Sequence, residues 1–246
     1  MTKTYPIYKL IKAAVRFFYQ KMEVVGEENL PEEASIIVGN HTQMNGPIAC
    51  ELYFPGKRFI WCASQMMFLK EVPAYAYQDF WSSKPLYIRW FYKILSYIVA
   101  PISVIVFNNA NTIPVYRDAR TIVTFRETVA KLQEDVSVVI FPEKDEEYNH
   151  ILCNFQDRFI DIAKIYYRKT GKELSFVPLY IAPYLKKMYI GKPIKFCSSA
   201  PIAEERHRIC DYLMQEITDM ACSLPEHIVV PYRNLPKKAY KTNIPK

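Results

Sequence analysis

The chain has 246 residues, half of them hydrophobic, with 17 Pro against only 6 Gly; this suits one large α/β domain and excludes a disordered or low-complexity chain. Its net charge of +7 favours anionic partners: nucleic acid, acidic lipid or phosphorylated substrates. The charge gathers at the ends. Lys3, Lys9, Lys12, Arg16 and Lys21 precede the first acid, Glu23, and Arg233, Lys237, Lys238, Lys241 and Lys246 close the chain with no acid among them.

Residues 5–22 carry a broad apolar face of Ile7, Leu10, Ile11, Ala14, Val15, Phe17 and Phe18, with Lys9, Lys12 and Arg16 mostly opposite. That pattern predicts a basic amphipathic helix of the kind that lies in a lipid interface; a helix packed on its own domain is the alternative. The start lacks a compact apolar region followed by small residues, so no cleavable signal peptide is expected. Residues 34–39 are a short apolar run ending at Gly39, which suits a buried strand. Asn40, His41 and Thr42 follow at once, which puts His41 in a strand-to-helix loop, where α/β folds place their sites. Residues 58–63 read as a second strand. From Leu86 to Phe107 charges occur only at Arg89 and Lys93, and the uncharged part from Ile94 has 14 residues. A spanning helix needs about 20, and Pro101 argues against one straight helix. An interfacial or re-entrant hairpin is therefore expected, with a buried core helix as the alternative.

Beyond this stretch strands and helices alternate. Residues 112–115 are a short strand, and 119–134 a helix with Ile122, Phe125, Val129 and Leu132 on one face. A buried strand at 136–141 precedes a helix at 155–169. Residues 175–181 form another strand, whose Pro178 implies an edge or a bulge. Short strands near 187–190 and 193–196 lead to a last helix at 202–223. The expected architecture is one α/β domain, residues 26–225, with a mixed central sheet flanked by helices and an apolar insertion at 86–107. An amphipathic interface helix within 1–25 precedes it, and a basic tail, 226–246, follows.

Six scattered cysteines form no C-x-x-C pair, so a zinc site is not expected and a reduced, cytoplasmic setting is the simplest reading. No G-x-S-x-G elbow, Walker loop or G-x-G-x-x-G occurs. Nucleic-acid binding is disfavoured, because the basic residues lie beside apolar segments and no reader motif is present.

Four fragments remain, in order: Asn40-His41 with the loop to Pro47; Thr112-Ile113-Pro114-Val115-Tyr116-Arg117; Val139-Ile140-Phe141-Pro142-Glu143; and Phe176-Val177-Pro178-Leu179. Together they resemble the four blocks of the glycerolipid (1-acyl-sn-glycerol-3-phosphate) acyltransferase family, and they span well over half the chain. The resemblance implies transfer of a fatty acyl group from an acyl-CoA or acyl-ACP thioester to a lipid hydroxyl, with no metal and no other cofactor. His41 would be the general base. Arg117 and the third block, Pro142, Glu143 and Lys144, would bind the acceptor beside Asn40. Membrane lipids and the acyl carrier or coenzyme A thioester would be the partners, at the cytoplasmic face of the cell membrane, in a peripheral or monotopic setting.

Two blocks depart from the family pattern. The Asp that follows the His after four residues is Gly46 here, and Asn45, one place early, is the nearest side chain to steady His41; Glu51 is a more distant candidate. The third block's Gly-Thr-Arg-Ser is Lys144-Asp145-Glu146-Glu147, whose acids would repel a phosphate unless they point away. His150, in the same loop, is either a second proton-transfer group or a solvated histidine. A catalytically impaired relative that binds lipid or acyl carrier protein therefore stays open, as does a hydrolase on an unrelated α/β fold.

Overall fold

The computed structural model describes residues 4–82 and 84–244. Helix α1 (Tyr5–Phe18) opens it, followed by β1 (Glu23–Val25), β2 (Ile36–Gly39), α2 (Asn45–Tyr53), β3 (Arg58–Ala63), α3 (Val72–Ala76), α4 (Arg89–Asn109) and β4 (Thr112–Val115). Then come α5 (Thr121–Gln133), β5 (Ser137–Ile140), β6 (Glu143–Glu147), β7 (Cys153–Phe155), α6 (Asp161–Thr170), β8 (Ser175–Ala182), β9 (Lys187–Ile190), β10 (Ile194–Lys195) and α7 (Ile202–Ser223). They form two compact units, one of residues up to Gln20 with Trp61–Thr124, the other of Lys21–Ile60 with the chain from Phe125.

The second unit is built on a mixed sheet in the order β1-β9-β8-β2-β5-β3, with β10 also beside β8. β2 lies parallel to both β5 and β8, and all four of its residues are buried. A strand covered on both faces reads as an unbroken apolar run, which is why Ile36-Ile37-Val38 does not alternate. Helix α7 packs on β8 and buries Ile209, Leu213, Ile217 and Ala221, one side chain per turn on a single face. Pro178 sits in central β8 rather than at an edge. β9 pairs with β8 at Leu179–Ala182 and β10 at Ser175–Phe176, so Pro178 faces the link between those two strands. There its missing N–H interrupts no ladder, and its carbonyl accepts from Gly191 N–H at 2.9 Å.

The first unit has a small core of Val72, Ala76 and Ala100, with Met66, Phe80, Trp81 and Val104 against it. Residues 86–107 do not form the expected hairpin. A short 3-10 turn leads into α4, one helix of 21 residues that runs through Pro101. Proline costs a helix one N–H bond and a clash, about 3 kcal/mol. Here side-chain bonds tie the helix down: Ser103 Oγ donates to the Met66 carbonyl at 2.9 Å and Asn108 Nδ2 to that of Met67 at 3.0 Å. Helix α5 also differs in detail. Ile122 is exposed, and Thr124 and Thr128 are buried beside Val129 and Leu132. Within the first unit Thr124 Oγ1 donates to the Pro114 carbonyl at 2.7 Å, which makes a buried threonine tolerable.

Candidate functional site

The loops after β2 and β5 leave the C-terminal ends of adjacent parallel strands. The chain then crosses from β5 on one side of β2 to β8 on the other, and open α/β sheets bind ligands at such a switch point. His41 sits there. Asn40, 2 % exposed, anchors the loop from beneath: its Nδ2 donates to the Ile181 carbonyl at 3.0 Å, and its Oδ1 accepts from Ile181 N–H at 2.7 Å. With both ends of the amide used on β8, Asn40 shapes the loop. Thr42 and Gln43 follow with left-handed φ of 46° and 56°, a strain that concentrates at functional sites. The turn closes where Gly46 N–H donates to the His41 carbonyl at 3.1 Å.

Glu143 holds the loop from the other strand. Its Oε2 accepts from His41 N–H at 2.6 Å and its Oε1 from Cys153 N–H at 3.0 Å. Burial pushes its carboxyl up to about 7, against the pull of those two N–H groups. Pro142 is buried beside it. Expected in acceptor binding, Glu143 instead spends both oxygens on backbone.

The His41 ring is partly buried between two aromatic rings. Phe141 stands 5.3 Å away at 67°, and Tyr232 5.8 Å away at 88°. Nδ1 is buried with no hydrogen-bond partner, as is Thr42 Oγ1. Burial lowers the imidazole pKa below its ordinary 6.5, while backbone groups of Gln43 and His41 act the other way. Asn45, expected to steady His41, donates from Nδ2 to the Thr42 carbonyl at 3.0 Å. Nor does the loop have room for the family's Asp. A Cβ on Gly46 would lie 2.5 Å from the His41 carbonyl oxygen and 3.0 Å from the Phe141 ring.

The acids of the third block do not face the site unpaired. Asp145 pairs with Arg233, Glu146 with Lys144, and Glu147 with Lys241 at 3.0 Å. The basic tail is thus bound to the β6–β7 hairpin. Gln43 Nε2 fastens it further, donating to the Arg233 carbonyl and to the Tyr240 hydroxyl, each at 3.0 Å. His150 Nε2 is spent on the Asn243 carbonyl at 2.9 Å, a tail anchor. Arg117 belongs to the other unit, where it is exposed and its charge partly offsets the burial that raises the Asp79 carboxyl. Tyr232, which sequence reasoning missed, lies far from every motif; its only signal was an aromatic residue beside a basic cluster.

The fold has a known counterpart. A crystal structure of the 1-acyl-sn-glycerophosphate (LPA) acyltransferase PlsC from Thermotoga maritima is similar, with a TM-score of 0.51 and 18 % identity over 90 % of this chain and 81 % of that one. At that identity the likeness is one of fold. No family model matches the chain, and no curated protein does. A depression of about 430 Å³ in the second unit is lined by Glu32, Glu33, Asp135 and Lys172, among others. It lies at the N-terminal ends of β2 and β5, the opposite ends from His41.

Proposed function

We propose that the chain is a membrane-associated acyltransferase that moves a fatty acyl group from an acyl-CoA or acyl-ACP thioester to a hydroxyl of a lysophospholipid or related lipid. The observation that carries this reading is His41, fastened through its own N–H to Glu143 at the switch point of a sheet of the PlsC fold. A depressed pKa keeps the imidazole neutral at pH 7 and free to accept a proton. Its nitrogen takes the acceptor's hydroxyl proton as that oxygen attacks the thioester carbonyl. The tetrahedral intermediate collapses to an ester and a thiolate, which recovers the proton from the imidazolium. Arg117 is the residue the motif resemblance offers for the acceptor's phosphate; Lys144 is its weaker companion, since Glu146 already shares its charge.

Support for the membrane setting comes from the first unit. Phe17 and Phe18 on α1 are over four-fifths exposed, and Trp90, Phe91, Ile94, Tyr97, Ile98 and Ile102 on α4 are exposed too. Apolar surface on that scale marks an interaction site. The setting we assign is the cytoplasmic face of the cell membrane.

A single-turnover assay with acyl-CoA and acyl-ACP over extracted lipids tests the activity. His41→Ala is expected to lower acyl transfer by about 10²- to 10⁴-fold, and the acid limb of wild-type activity is expected below the ordinary imidazole value. The alternative, a relative that binds lipid or acyl carrier protein without turnover, draws on the unpartnered Nδ1. It predicts no loss of thioester from either protein.

A further inference from the structure

Resting on the acyltransferase reading, we infer that Tyr232, on the C-terminal segment, holds the His41 ring in the orientation that a carboxylate at position 46 would otherwise set. A carboxylate is excluded from that position by contact. Any Cβ on Gly46 meets the His41 carbonyl at 2.5 Å, and the Phe141 ring occupies the space beyond. The imidazole nonetheless needs a fixed orientation, because proton transfer requires one nitrogen to face the acceptor's hydroxyl. No hydrogen bond at Nδ1 supplies it. Besides the backbone groups of Gln43 and His41 that favour the charged ring, what faces the imidazole is the pair of rings, Phe141 on one side and Tyr232 nearly perpendicular on the other. Edge-to-face contacts of this kind are directional, so together they restrict rotation about the ring's own bond.

Phe141 directly follows β5. Tyr232 lies beyond the last helix, and its position has to be made by other contacts. The neighbouring Arg233 contributes to them through its ion pair with Asp145 and through its carbonyl, which accepts from Gln43. Gln43 is two residues from His41, so the tail and the histidine loop are tied to each other directly. This also accounts for the acids in the third block: Asp145 is the tail's docking partner. Among the described residues, the titratable and charged groups bonded to the His41 loop and its docked tail include Glu143 on the His41 N–H, Tyr232 against its ring, the Asp145–Arg233 pair, and Tyr240 on Gln43.

The test compares wild type with Tyr232→Leu, which keeps apolar bulk without a ring, and with Tyr232→Phe, which keeps the ring. Rates across pH are read together with an NMR titration of the His41 ring in each folded protein. Tyr232→Leu is expected to lower kcat about 10- to 100-fold with little change in KM. It should also raise the acid limb and the His41 titration toward the ordinary value, as the ring gains water. Tyr232→Phe is expected to restore kcat to within about threefold of wild type. A Leu variant with wild-type kcat and an unmoved titration overturns the inference. So does a Leu variant slowed without any shift in the titration and not rescued by Phe, because that pattern is mere loss of structure. His41→Ala separates the two levels. If it turns over like wild type, the general-base reading fails, and the NMR titration alone then decides whether Tyr232 governs the ring.

Discussion

At the scale of single residues, the site rests on Gly46 and Glu143. Gly46 has an ordinary φ; it is required for space, since its missing Cβ would strike backbone at 2.5 Å, and a backbone oxygen cannot swing aside like a flexible side chain. Placing a carboxylate there with Gly46→Asp is therefore expected to destabilise the fold by about 1–3 kcal/mol, the usual range for overpacking. It should lower acyl transfer rather than raise it; urea denaturation and the single-turnover assay check both. Glu143 gives a prediction about pH. Its carboxyl is raised from 4.5 to about 7 in the folded chain, so between those values the folded state holds the proton more tightly than the unfolded state. Stability from this group is thus greatest below pH 4.5 and falls as pH rises toward 7, by on the order of 3 kcal/mol. Glu143→Gln should remove that slope from a series of urea midpoints. It should also leave one of the two N–H donors facing an NH₂ group, a loss of about 1–3 kcal/mol at low pH.

At the scale of elements, the C-terminal segment behaves as a structural member. Asn243 is fully buried: its Oδ1 accepts from His227 N–H at 2.8 Å, and its Nδ2 donates to the Ala221 and Leu224 carbonyls. Asn243→Ala would leave those groups without a partner, and a destabilisation of about 1–3 kcal/mol is expected. The measurement that places the loss is hydrogen exchange, which should quicken over residues 227–243 while α7 stays protected. This segment shows where reading the sequence stopped. The strands at 58–63 and 112–115 and the helix at 202–223 were legible, because each carries its own periodicity. His41 was legible as a residue at a strand end, and the order of four fragments gave it the role proposed above. The pairing of acidic β6 with a basic tail some ninety residues later has no period and no motif, so the acids read as a hazard to phosphate. Residues 86–107 misled for a related reason. Pro101 counts against a helix locally, whereas Ser103 and Asn108 hold α4 through bonds to Met66 and Met67 that no local window contains.

At the scale of the whole molecule, the residues proposed for proton transfer and those proposed for membrane binding fall on different units. His41, Glu143, Phe141 and Tyr232 all belong to the sheet-bearing unit, whereas the exposed apolar helices α1 and α4 belong to the other. The two roles should therefore separate by mutation. α4 is about 31 Å long at 1.5 Å per residue, close to the hydrocarbon thickness of a bilayer, and its leading turns carry Arg89 and Lys93 beside Trp90 and Phe91. Cations and aromatic rings at one end suit the headgroup level. Phe17→Glu with Phe18→Glu on α1, or Ile98→Glu on α4, adds charge only where side chains are already exposed, so the fold should survive. Each is expected to cut co-flotation with anionic liposomes by at least about tenfold, since each charge moved into an apolar layer costs about 2.5–3.5 kcal/mol. Turnover of a short-chain, water-soluble acceptor should stay within about twofold of wild type, because no group of the His41 site is touched. Flotation that persists in these variants would mean that the apolar helices are covered by something other than lipid. Turnover lost together with flotation would mean that the first unit is needed for the chemistry itself.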